Sequence, residues 1–157
     1  MTALDLIDRK IVAQLMRDAT QSVAHIADQV GLSSTPCWKR IRRLESDGVI
    51  ERRVALASPQ ALGLGVCAVV ILRAPDHSAE WRERLGAVVA AIPEIMEVWR
   101  VAGENDYLLR IAVTDMAAFD QLCQRLSGEV PIREITSHLA IERVKFTTAF
   151  PVDTTRR

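Results

Sequence analysis

Apolar residues recur at spacings of three and four through the first fifty positions, the period of helices that bury one face. Leu4, Ile7, Ile11 and Leu15 share one side of a helix predicted from about Asp5 to Arg17. Ser22 suits the N-cap of a second helix that turns Val23, Ile26, Ala27 and Val30 inward and stops at Gly31. A third helix is predicted to begin after Ser33, with Pro36 tolerated in its first turn, and to end at "SDG". Only "GLS" separates the second and third helices. Two helices joined by so short a Gly-containing turn make a helix-turn-helix candidate.

The pattern changes near "VALASPQALGLG", where Pro59, Gly63 and Gly65 mark a linker. Beyond it, "VCAVVILR" reads as an apolar strand, and "SAEWRERLGAVVAAI" as a helix with Trp81, Leu85, Val88, Val89 and Ile92 inward. "EIMEVWRVAG" and "DYLLRIAVT" read as strands flanking a turn, "MAAFDQLCQRLSG" as a second helix, and "IREITSHLAIERVKF" alternates as a last strand. The order β-α-β-β-α-β predicts a ferredoxin-like unit. The chain is thus expected to be α+β, with a three-helix helix-turn-helix domain over residues 1–52, a linker strand or hinge over 53–63 and a ferredoxin-like domain over 64–157.

Composition narrows the class. At 157 residues, 49% hydrophobic and 25% charged, the sequence is that of a globular protein of one or two small domains. No run of 18 apolar residues occurs, and the start "MTALDLIDRK" lacks the basic-then-apolar order of a signal peptide, so a cytoplasmic location without membrane contact is expected. Cys37, Cys67 and Cys123 match neither a zinc nor a CxxC spacing, and reduced, mostly buried thiols are expected. His25, His77 and His138 are remote from one another, so no metal site is expected. The zero net charge hides a division: residues 34–53 hold six Lys/Arg against three Asp/Glu. That is a local polyanion-binding surface on a neutral chain.

Helical phasing of "CWKRIRR" sorts this segment. With Cys37 at zero and about 100 degrees per residue, Ile41 and Leu44 share its face, while Thr35, Lys39, Arg42 and Ser46 lie opposite. Trp38 and Arg43 sit on the two shoulders. Cys37 then reads as a small buried hydrophobe rather than a reactive thiol. Arg40 is placed to pair with an acid of an adjacent helix. A basic helix face is by itself ordinary solvated surface; combined with the helix-turn-helix geometry, it is what a helix lying in a major groove requires. Ser34, Thr35, Trp38, Lys39, Arg42 and Arg43, with Arg52 and Arg53 nearby, are the candidate DNA-contacting residues. Trp38 is open between bracing its helix and stacking along a sugar-phosphate edge.

The stretches "LDLIDRKIVAQL", "LSSTPCWKRIRRLESDGVI" and "VWRVAGENDYLLRI", in this order, resemble the Lrp/AsnC family of feast/famine transcription regulators from about Leu4 to Pro151. Within it, "HSAEWRERL", "WRVAGENDYLLRIAVTDMAAFDQL" and "KFTTAFP" resemble the cysteine-responsive regulators of cysteine desulfidation. The resemblance implies a winged helix-turn-helix domain on double-stranded DNA, no enzymatic activity, and no cofactor beyond a small amino-acid effector. It also implies homodimers, tied in part through a linker strand near Val54 to Ala57, that assemble further, commonly into octamers. Effectors of the family sit near the hairpin at interfaces between dimers, which makes Trp99, Val101, Ala102, Gly103, Asn105, Asp106, Tyr107, Thr136 and Ser137 the candidate effector-binding residues. Backbone N–H groups around Gly103 suit a carboxylate, Asp106 an ammonium group, and Thr136 and Ser137 supply hydroxyls. Without the resemblance, "VAGENDYLL" is a tight hairpin connection in which Gly103 permits positive φ and Asn105-Asp106 favour a turn.

Rival classes weigh less. An RNA-recognition sheet needs exposed aromatics on its central strands, and aromatics are 4% of this chain. No Ser/His/Asp, Cys/His or HExxH arrangement supports an enzyme. An architectural DNA-binding role with little effector control is the alternative to a local switch, since members of the resembled family do both.

Overall fold

The computed structural model describes residues 4–155. It divides into two compact units, one made of the chain up to Ala55 together with the tail from Val144, the other spanning Leu56–Arg143. The tail, read from sequence as part of the C-terminal domain, therefore groups with the helices.

The helical unit holds α1 (Leu6–Arg17), α2 (Val23–Val30) and α3 (Ser34–Ser46). Asp5 caps α1 in a reciprocal box with Asp8: the Asp8 N–H donates to Asp5 Oδ1 at 2.8 Å and the Asp5 N–H to Asp8 Oδ2 at 3.3 Å. Ser22 caps α2 by accepting the His25 N–H. At the elbow Gly31 takes φ 74°, which only glycine adopts without strain, and the Leu32 N–H closes back on the Ala27 carbonyl at 2.9 Å. That turn aims α3 across α2. Ile11 and Leu15, then Ile26, Ala27 and Val30, then Cys37, Ile41 and Leu44 form one closed core. Cys37 lies in it at 0% exposure, as its phase predicts.

A polar clamp crosses this core's edge. Asp8 is buried, and its two oxygens accept from Arg40 Nη1 at 2.8 Å and Arg43 Nη2 at 2.5 Å. Arg40 also reaches Asp5 at 2.6 Å, so the first turn of α1 is fastened to the middle of α3. Burial works to raise the Asp5 carboxyl, but the Asp8 N–H and the Arg40 guanidinium outweigh it and hold it below the usual range.

The second unit contains a short 3-10 turn (Gln60–Leu62), β1 (Val66–Arg73), α4 (Ala79–Ala90), β2 (Ile95–Arg100), β3 (Tyr107–Val113), α5 (Met116–Glu129) and β4 (Glu134–Leu139). The sheet runs β2-β3-β1-β4 with every pair antiparallel. Ala68, Val70 and Leu72 of β1 and Tyr107, Leu109, Ile111 and Val113 of β3 pack on Trp81, Leu85 and Val88 of α4 and on Phe119, Leu122 and Leu126 of α5. The fold class is the α+β arrangement expected, a helix-turn-helix unit and a ferredoxin-like βαββαβ unit.

Two strand expectations are corrected. The linker near Val54 to Ala57 carries no strand, and β4 stops at Leu139 instead of continuing to Phe146. A strand needs a neighbour to bond: the Ala140 N–H reaches the Cys67 carbonyl, and one residue earlier than Cys67 the β1 ladder ends at Val66. The alternation in sequence outlasts the partner. Among the described residues, the helical unit holds no strand at all.

Candidate nucleic-acid interface and effector hairpin

The outward face of α3 is where phasing puts it. Ser34, Thr35, Trp38, Lys39, Arg42 and Arg43 are all exposed, as are Arg52 and Arg53. Their charges are not equivalent. Arg43 turns to Asp8 and joins Arg40 in the clamp, so the structure makes it first a brace between helices. Arg42 meets Glu45 at 3.1 Å and Arg53 meets the other Glu45 oxygen at 2.9 Å. Among the described residues, Lys39 and Arg52 form no ion pair. Trp38 is 51% exposed, and its ring centroid lies 6.0 Å from the Arg42 guanidinium carbon. Sequence reasoning missed Val23, which lies beside Ser34, Thr35 and Trp38, and Glu45, which gathers two arginines.

At the other candidate site, β2 and β3 are joined by residues 101–106, closed by a Val101 N–H to Asp106 carbonyl bond of 2.9 Å. Gly103 takes φ 138°, the positive value the turn demands. Asp106 is tied into the sheet unit on three sides. Its N–H donates to the Leu72 carbonyl at 3.1 Å, its Oδ2 accepts from the Ala74 N–H at 2.8 Å, and His77 Nε2 stands 3.6 Å from its Oδ1. The carboxylate expected to meet an ammonium group thus already holds the end of β1.

Strand register separates residues that the sequence placed together. Trp99 pairs with Leu108, Leu108 with Ile71 and Ile71 with Thr136, so Trp99 and Thr136 belong to one row on the sheet face away from the helices. Three strand spacings, about 14 Å, lie between those two. Tyr107 points the other way, buried against Trp81 with ring centroids 5.5 Å apart. Ser137 is on the helix side as well: it pairs with Val70, which is buried in the core under the helices. Trp99 with Tyr107, and Thr136 with Ser137, therefore do not wall one cavity in a single chain, because adjacent strand positions face opposite ways. Val101, Ala102 and Gly103 are exposed, and Asn105 is half-buried.

The cysteines offer no reactive centre. All three are free, and burial pushes the Cys37 and Cys123 thiols up, away from the nucleophilic thiolate.

Residues 4–51 match the model of a winged helix-turn-helix DNA-binding domain, and residues 67–150 match that of the Lrp/AsnC ligand binding domain. The chain belongs to the Lrp/AsnC family. An Lrp/AsnC relative, the DNA-binding transcriptional activator DecR of Escherichia coli K12, is 45% identical over 96% of this chain and 99% of its own. The crystal structure of an AsnC family transcriptional regulator from Agrobacterium tumefaciens superimposes with a TM-score of 0.91 at 44% identity, covering 98% of this chain and all of the other. A transcriptional regulator from Neisseria meningitidis, solved in complex with L-methionine, superimposes with a TM-score of 0.89 at 30% identity over 95% and 97% of the two chains. As a member of the family, the protein is a DNA-binding transcription regulator with a ligand-binding domain. The family's known relatives are regulators rather than enzymes. Among the described residues, no helix is long and apolar enough to cross a membrane.

Proposed function

We propose that the protein is a sequence-specific regulator that lays α3 in the major groove of promoter DNA and alters that binding when a small amino acid, cysteine being the specific choice, occupies the region of the 101–106 hairpin. The observation that carries the DNA half is the outward face of α3, where Thr35, Lys39 and Arg42 stand together while Arg40 and Arg43 are held by Asp8. Lys39 and Arg42 contact bases or phosphates, Ser34 and Thr35 the groove edge, and Arg52 and Arg53 nearby backbone. Dimers present two such helices to half-sites about 10 bp, or a multiple of it, apart. Support for an amino-acid effector comes from the methionine complex of the Neisseria relative, and support for cysteine from the subgroup resemblance of the sequence. Assembly of dimers into a ring of four, with effector between dimers, belongs to the same proposal, as does a cytoplasmic location.

The DNA half is tested by comparing a promoter duplex near the protein's own gene with random duplex at about 0.15 M salt. Tighter binding to the promoter by orders of magnitude is expected; equal affinity points to the architectural role instead. A thermal-shift screen of the twenty amino acids tests the effector half, since a ligand of the native state raises stability as RT ln(1 + [L]/Kd). No shift with any of them overturns it.

A further inference from the structure

We infer that the N-terminal end of α3 carries an apolar receptor for the 5-methyl group of a thymine, formed by Trp38, Thr35 and Val23. The inference rests on α3 being the helix that enters the major groove, and it names what one part of that helix reads.

Val23, Ser34, Thr35 and Trp38 line an open hollow of about 290 Å³. Its walls are mainly hydrocarbon, on a face otherwise made of hydroxyls and cations. Trp38 is 51% exposed although the helical core is complete without it, closed by Cys37, Ile41, Leu44 and their partners. Val23 opens α2 while the other three residues stand on the first two turns of α3, so the hollow lies between the two helices of the helix-turn-helix. The Arg42 guanidinium carbon stands 6.0 Å from the centroid of the Trp38 ring. Lys39 and Arg42 follow Thr35 and Trp38 by one turn on the exposed side of α3, and the charge of Lys39, unpaired among the described residues, favours a polyanion over an apolar peptide as the occupant. On unmodified duplex DNA, the hydrocarbon group displayed in the major groove is the thymine methyl; all the other base-edge features there are donors or acceptors. A hollow of this size takes the methyl together with part of the pyrimidine edge that carries it. Arginine and lysine beside it read phosphates and guanine; the hollow adds what they cannot, a preference for T·A over C·G at one position of each half-site.

The test uses the full-length protein and duplexes it selects from a random pool. Each thymine of the selected site is replaced singly by uracil, which removes the methyl and leaves every hydrogen-bonding group in place. At one position per half-site the affinity is expected to fall about fourfold, the fold-change that one buried methyl of ~0.8 kcal/mol gives at 1.4 kcal/mol per tenfold. At that same position Trp38→Ala is expected to bind thymine and uracil alike, and Thr35→Ser to show a reduced difference. A selected site without such a thymine, uracil replacements that are all silent, or an undiminished thymine preference in Trp38→Ala overturns the receptor while leaving sequence-specific binding intact. Failure to select any sequence overturns the receptor and the proposed function together. The uracil scan on the wild-type protein decides the matter even if Trp38→Ala does not fold.

Discussion

In the helical unit three short helices close over Ile11, Ile26, Cys37, Ile41 and Leu44, and the buried carboxylate Asp8 finds two arginines within the chain. In the sheet unit α4 and α5 cover one face only, and Trp99 on the other stands about half exposed, as do Met96 and Leu139 at other edges of the sheet. The three helices of the first unit close their core internally and, Trp38 apart, leave α3 a polar outward face. The second keeps apolar side chains in water, which is the physical ground for the proposed association of chains through it. The proposed DNA-reading face thus lies within one chain, whereas the candidate effector residues are dealt to opposite sides of a sheet.

The sharpest way to break this contrast is Asp8→Ala. It strips two guanidinium groups of a buried partner and should cost the helical unit about 3 kcal/mol, the low end for a broken buried pair because both arginines keep some contact with water. Urea denaturation followed through the melting of both units checks it; a change under ~0.5 kcal/mol, the range of ordinary surface substitutions, would mean that the clamp holds nothing. Arg42→Ala should leave that stability nearly untouched and weaken promoter binding by about 1 to 3 kcal/mol in a gel-shift titration. Loss of preference at one base pair marks a guanine contact, and uniform loss across sequences marks a phosphate contact.

For the hairpin, Asp106→Ala removes the acceptor of the Ala74 N–H and should lower stability by about 1 to 2 kcal/mol besides abolishing the effector response, with DNA affinity kept. Asp106→Asn keeps an acceptor for Ala74 and removes the charge, so calorimetry of effector binding on that variant separates brace from ligand. Normal effector affinity in Asp106→Asn would exclude the carboxylate as the ammonium partner. The smallest effect is in acid. Asp5 is held below its ordinary value, so its contribution is present above about pH 4 and disappears as the pH falls through the folded-state value. Thermal melting of Asp5→Asn should lack that part of the acid loss, which would appear in wild type below about pH 4.

Much of the helical unit could be read in advance because its cues are local. Ser22, Gly31 and the phase of Cys37 each act within one or two turns, and they fixed the caps, the elbow and the buried stripe. Arg40 was placed toward an acid by the same phase, although Asp5 and Asp8 had to be found in space. The hairpin was less legible for a different reason. Whether Trp99 and Tyr107 share a side depends on the turn between them, and the Asp106 partner at Ala74 lies 32 residues away. Thr136 and Ser137 are neighbours in the chain and opposites in the sheet, a distinction that register alone supplies. The linker strand and the outer part of β4 failed in the same way, since pairing is a property of two segments.

Glu45 gives the outward face one further property. It sits between Arg42 and Arg53, each bonded to its own carboxylate oxygen, so these two cations carry a tethered counter-ion. A duplex that engages them has to displace this carboxylate, an anion that dilution cannot remove and added salt does not replenish. Any phosphate meets that competitor, while only a site offering well-placed base edges compensates for it. On the proposal that α3 reads DNA, this fixed negative charge sets a threshold that every duplex engaging Arg42 and Arg53 has to overcome.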